Sequence, residues 1–130
     1  SPEALSLARD NAKTILGNDH SITFVQSDLF ESVSGKFDLV VANLPYVSHS
    51  FQTMPEVTFE PDVALFGGSD DGLDLYRAFF KALPQYLDHA ALVFIESDPW
   101  QQPELLKLAA TAGLSPIFQD YFILGFVRQD

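Results

Sequence analysis

The sequence predicts an α/β domain with a mostly parallel sheet and antiparallel strands at its C-terminal end. Three observations predict it. Helical and strand patterns alternate along the chain, the runs Phe37 to Ala42 and Ala90 to Ile95 are continuously apolar like strands buried on both faces, and the last two strand patterns follow one another directly.

The elements follow in order. Ser1-Pro2-Glu3 reads as a helix start, a serine cap with proline at the first helical position, and the apolar positions Ala4, Leu5, Ala8, Ala12, Ile15 and Leu16 continue it to Gly17. Ile22 to Val25 reads as a short strand and Phe37 to Ala42 as a buried one. A second helix is expected over Gly72 to Leu87, opened by Ser69, Asp70 and Asp71, with Leu73, Tyr76, Phe80 and Leu83 inward and Pro84 distorting its last turn. Ala90 to Ile95 is a strand, Pro103 to Ala112 a helix stopped by Gly113, and Ser115 to Gln119 and Phe122 to Arg128 are strands. The stretch Pro45 to Asp71 is long for a loop in a compact domain, and it mixes Pro45, Pro55, Pro61, Gly67 and Gly68 with large apolar side chains. It is therefore a candidate binding loop. In such sheets ligands collect at the carboxyl ends of the strands, which puts the site just after Ala42.

Composition narrows the function. A chain of 130 residues, 47% hydrophobic and 19% charged, suits one soluble domain, expected in the cytoplasm, with no membrane partner because no run is long enough to span a bilayer. The absence of cysteine excludes disulfides, thiolate metal sites and a cysteine nucleophile, and His20, His49 and His89 have no short ligand spacing, so no metal is expected. A net charge of -11 and a sequence pI near 4.3 oppose direct contact with nucleic acid, whose recognition relies on clustered Lys and Arg.

Asn43-Leu44-Pro45-Tyr46 stands where the site is expected. A planar amide or aromatic amine is a poor nucleophile, so an enzyme that alkylates one must hold both N–H groups and aim the nitrogen. The Asn43 side-chain oxygen and the Leu44 carbonyl can accept them, Pro45 holds Leu44 extended, and Tyr46 supplies a flat apolar wall. Alone, these four residues fit an ordinary turn as well.

Their context adds a resemblance. The tetrapeptide is similar to the Asn/Asp-Pro-Pro-Tyr motif of amino-methylating enzymes, with Leu44 in a form also known from ribosomal RNA adenine dimethylases. Glu60-Pro61, Ala64-Leu65, Gly67-Gly68, Asp71-Gly72-Leu73 and Tyr76-Arg77, together with Ser1-Pro2-Glu3-Ala4-Leu5, Ser27-Asp28-Leu29-Phe30 and, more weakly, Ile95-Glu96 with Gln101 or Gln102, resemble the HemK-type protein-(glutamine-N5) methyltransferases. That family modifies peptide-chain release factors. The resemblance implies the C-terminal part of a class I, Rossmann-like methyltransferase domain, S-adenosyl-L-methionine as cofactor and a release factor as partner. It places Asp28 and Leu29 beside the cofactor's adenine, Asn43 against both the methionine moiety and the substrate amide, and Glu60 in ordering the loop over the site.

No glycine-rich cofactor turn, ribose-holding acidic residue or helical N-terminal domain of that family lies within these residues. A chain limited to Ser1 to Asp130 is thus expected to bind S-adenosylmethionine weakly and to be inactive alone. The edge of the Phe37 to Ala42 strand would be unpaired, inviting oligomerisation unless a preceding segment, the Ile22 to Val25 strand or a second copy covers it. Two other functions fit the residues: an N6-adenine methyltransferase acting on RNA or DNA, suggested by Leu44, and a non-catalytic assembly module.

Overall fold

Ser1 starts the first helix as its sequence demands: the Ser1 hydroxyl accepts from the Ala4 N–H at 3.2 Å, and α1 runs Pro2–Leu16 before Gly17 turns away at φ 79°. The computed structural model describes residues 1–50 and 59–129. It divides into two units, Ser1–Ser34 and Gly35–Asp130.

In the first unit the expected strand Ile22 to Val25 is not formed, and residues 19–27 carry no regular structure. A short apolar run becomes a strand only when another backbone pairs with it, and no described residue does so here. Its side chains pack locally instead: the Arg9 guanidinium lies 5.8 Å from the Phe24 ring centre, and His20 meets the same ring edge-on. Next comes a turn in which the Asp28 carbonyl accepts from Glu31 N–H at 3.0 Å, the Ser27 hydroxyl accepts from Ser32 N–H at 2.9 Å, and Leu29 has φ 44°.

The second unit is built on a four-stranded sheet in the order β1-β2-β4-β3. Strand β1 (Phe37–Ala42) runs parallel to β2 (Leu87–Glu96), and β4 (Ile123–Arg128) pairs antiparallel with both β2 and β3 (Leu114–Gln119). The antiparallel strands expected at the C-terminal end are present, but among the described residues one strand pairing is parallel and two are antiparallel, where a mostly parallel sheet is expected. β2 starts earlier than its apolar run suggests, because a bulge lies within it: Phe37 pairs with Leu87 but Leu39 with Leu92, and Ala90 takes φ 54°.

Burial corrects one expectation. β1 is not covered on both faces; Phe37, Leu39 and Val41, which share one face, are 37%, 54% and 72% exposed. Its position at the sheet edge, beside β2 alone, explains why an apolar strand can remain half open.

The core lies on the other face. Val93 and Ile95 of β2 and Leu124 and Phe126 of β4 alternate inward and meet Tyr76, Phe79 and Phe80 of α3 (Asp74–Ala82) and Leu105 and Ala109 of α4 (Gln102–Thr111). Phe80 and Phe126 touch edge-to-face at 6.1 Å. Each such buried side chain contributes about 1.5 to 3 kcal/mol. α3 begins two residues after Gly72 and gives way to a 3-10 turn at Leu83–Tyr86, where Pro84 can donate no N–H to continue the ladder. α4 ends at Gly113, whose φ is 77°.

The predicted loop is less irregular than its sequence. It holds a short helix, α2 (Asp62–Leu65), and a parallel bridge between Val47 and Phe66; Pro55 lies outside the described residues. Among the described residues no helix is long and apolar enough to cross a membrane.

Candidate functional site

The parallel strands β1 and β2 end together, Ala42 pairing with Ile95, so Asn43 and Glu96 emerge side by side at their carboxyl ends. A cleft of about 190 Å³ opens there, lined by Asn43, Leu44, Pro45, Tyr46, Glu60 and Glu96, with Val47, Ala64 and Leu65 at its margin. Asn43 is exposed, and among the described residues no hydrogen bond occupies its amide. Its oxygen is an available acceptor.

Tyr46 departs from the expected apolar wall. Its ring is half-buried, but its hydroxyl donates to Glu96 Oε1 at 3.0 Å, and burial, reinforced by that carboxylate, pushes the hydroxyl's pKa above the ordinary tyrosine range. Tyr76 works from beneath. Fully buried, it donates its hydroxyl to the Glu96 carbonyl, and burial pushes its pKa up to about 12 against an opposing hydrogen bond with the Leu44 backbone. Tyr76 therefore anchors the end of β2 to α3.

The loop is fastened over this cleft by backbone pairing. Val47 N–H donates to the Leu65 carbonyl at 2.8 Å and Gly67 N–H to the Val47 carbonyl at 3.1 Å, which brings Glu60 and α2 to the rim. Contact this close requires glycine. A Cβ on Gly67 would lie 2.6 Å from the Pro45 carbonyl oxygen and 1.9 Å from that of Gly72. The Gly67-Gly68 pair is thus a point of close backbone approach as well as a turn.

Behind the loop, Arg77 grips Asp71 through both guanidinium nitrogens and reaches Asp74 at 3.1 Å, while the Ser69 hydroxyl donates to both carboxylates. The Arg77 hydrogen bond, aided by the Leu73 N–H and the Ser69 hydroxyl, holds the Asp71 carboxyl well below the usual carboxylate range despite some burial. A carboxylate whose folded pKa is depressed adds stability that is present above its ordinary value of 3.8 and is lost as pH falls through the folded value. Both partners are more than a third exposed, so solvent screening limits the gain to less than about 1 kcal/mol. Asp71→Asn is expected to lower the urea midpoint slightly at neutral pH, with the difference from wild type shrinking below about pH 4; a difference that grows toward acid would contradict this.

Of the residues singled out from sequence, Asn43, Leu44, Pro45 and Tyr46 share the cleft, with Glu60 at its rim. Asp28 and Leu29 lie in the turn of the first unit. Glu96 is the residue that sequence reasoning does not place in the site; the available signal is its position as the first polar residue after the apolar run Ala90 to Ile95. Among the described residues no cluster of three potential metal ligands occurs.

Known proteins are similar to this chain in sequence and in fold. No family model matches the chain. A release factor glutamine methyltransferase of Deinococcus radiodurans is 40% identical over 115 residues, 87% of this chain and 40% of that protein. A Methanocaldococcus jannaschii protein, provisionally named a protein N5-glutamine methyltransferase, is 37% identical over 136 residues, 98% of this chain and 66% of that one. The ribosomal protein uL3 glutamine methyltransferase of Xanthomonas campestris is 38% identical over 111 residues, 83% of this chain and 35% of its own length. Among solved structures, the ribosomal protein L11 methylase of Lactobacillus delbrueckii superposes with a TM-score of 0.65 at 19% identity, over 98% of this chain and 53% of that one. That likeness shows the fold alone, part of a Rossmann-like α/β domain. The chain spans about 40% of the length of the first bacterial relatives it matches.

Proposed function

Because this chain belongs to the protein-(glutamine-N5) methyltransferase family, we propose that the protein containing it methylates the side-chain amide nitrogen of a glutamine in a peptide-chain release factor. The observation that carries this reading is the cleft formed by Asn43, Leu44, Pro45 and Tyr46 at the carboxyl ends of two parallel strands. An amide nitrogen shares its lone pair with its carbonyl. It needs alignment more than it needs a base. In this reading the Asn43 oxygen and the Leu44 carbonyl accept the two N–H groups, and the Tyr46 ring bounds the amide plane. Its hydroxyl, tied to Glu96, keeps the ring in one orientation.

S-adenosylmethionine supplies an electrophilic methyl group when bound. Of the residues that the resemblance assigns to it, the Asp28 carboxylate suits an exocyclic amine and Leu29 offers an apolar surface to a purine. The net charge of -11 argues against a polyanionic substrate and so against the adenine alternative suggested by Leu44.

The test is to incubate the full-length protein with methyl-labelled S-adenosylmethionine and, separately, a release factor, ribosomal protein uL3 and ribosomal RNA. Label on the release factor is expected. Label on RNA alone would refute the reading, and label on uL3 alone would keep the glutamine chemistry but reassign the partner.

A further inference from the structure

We propose that Gln101 is a positioning residue for the amide-binding backbone, an inference that rests on the methyl-transfer reading above. Gln101 is 1% exposed, and its amide sits where three segments distant in sequence converge. Its Nε2 donates to the Tyr46 carbonyl at 2.8 Å and to the Asp71 carbonyl at 2.7 Å, and its Oε1 accepts from the Asp98 N–H at 3.1 Å. Two carbonyl partners at one end and an N–H at the other fix which atom is nitrogen. Both amide protons are used, so the residue acts as a two-pronged clamp between the cleft segment after β1 and the turn before α3.

That clamp bears on the geometry the chemistry needs. Tyr46 lies two residues beyond Leu44, whose carbonyl must point at the substrate, and Pro45 between them is stiff, so fixing the Tyr46 carbonyl restricts Leu44 as well. Gly72 permits the approach: a Cβ there would stand 2.1 Å from the Tyr46 oxygen and 3.2 Å from Gln101 Nε2. Without the Gln101 donors, the Tyr46 and Asp71 carbonyls lose their shared partner and the Leu44 to Tyr46 segment can drift off the turn.

The neighbouring glutamine supplies a matched control. Gln102 is also buried, 5% exposed, but its Nε2 donates to the Asp120 and Tyr121 carbonyls at 3.2 and 3.1 Å, away from the cleft. Each glutamine is replaced by the similarly sized, donor-free methionine in the full-length protein. Gln101→Met is expected to lower kcat at least about tenfold with KM for S-adenosylmethionine within about threefold, whereas Gln102→Met keeps kcat within about twofold, although both lower the melting temperature. Hydrogen exchange gives a second, activity-independent reading. The Val47 and Gly67 amides should exchange faster in Gln101→Met and not in Gln102→Met. Equal kcat losses in the two variants, or unchanged exchange at Val47 and Gly67 in Gln101→Met, would overturn the assignment. A wild-type protein that methylates no glutamine would instead refute the proposed reaction, while the exchange comparison still decides the role of Gln101.

Discussion

Asn43→Ala in the full-length protein is expected to lower kcat at least about a hundredfold while S-adenosylmethionine affinity stays within about threefold. The Asn43 oxygen is a side-chain acceptor with no partner among the described residues, and an oriented acceptor acting on the reacting group is worth about 3 to 4 kcal/mol. Removing it leaves the fold alone, because no described residue depends on the Asn43 amide for a hydrogen bond. Asn43→Asp should be milder, since an oxygen acceptor remains. Steady-state turnover beside calorimetric cofactor binding separates the two effects, and unchanged turnover in Asn43→Ala would remove Asn43 from the mechanism.

The second large effect is expected at Gly72. An alanine there would place its Cβ 2.1 Å from the Tyr46 carbonyl oxygen, a backbone atom that cannot step aside, and would also have to adopt φ 69°. The left-handed conformation alone costs roughly 1 kcal/mol, and forcing the two backbones apart adds about 1 to 3 kcal/mol more. Because the displaced segment is Leu44 to Tyr46, turnover should fall at least about a hundredfold along with stability. Gly113→Ala is the control, for Gly113 has φ 77° with open space around it and should lose only about 1 kcal/mol and no turnover. Equal urea midpoints for the two variants would show that close approach at Gly72 does not hold the cleft.

What the sequence reveals and what it hides follow from range. α1 is legible to the residue because Ser1, Pro2 and Gly17 act within a turn of the helix ends. The start of α3 is misplaced because Asp71 does not cap it in the ordinary way; its carboxylate accepts from Leu73 N–H and holds Arg77, delaying the helix to Asp74. The early start of β2 is masked by polar Asp88 and His89 and by the bulge at Ala90. Ile22 to Val25 has a strand's composition but lacks a partner among the described residues, and pairing cannot be read from one segment. The site divides in the same way. Asn43 to Tyr46 is legible because four adjacent residues carry the chemistry. Their supports are not: Tyr46 meets Glu96 across 50 residues and Gln101 across 55, and such contacts leave no local pattern.

If the cleft at the end of β1 presents a glutamine side-chain amide for methylation, the transferred methyl group is found on that residue type alone. Tandem mass spectrometry of a release factor treated with the full-length protein and isotopically labelled S-adenosylmethionine tests it most directly, because fragment ions assign the methyl group to one residue. A single labelled methyl is expected on the side-chain nitrogen of one glutamine, lost in Asn43→Ala. A labelled methyl on any other residue type, or on glutamine with undiminished yield in Asn43→Ala, would contradict it.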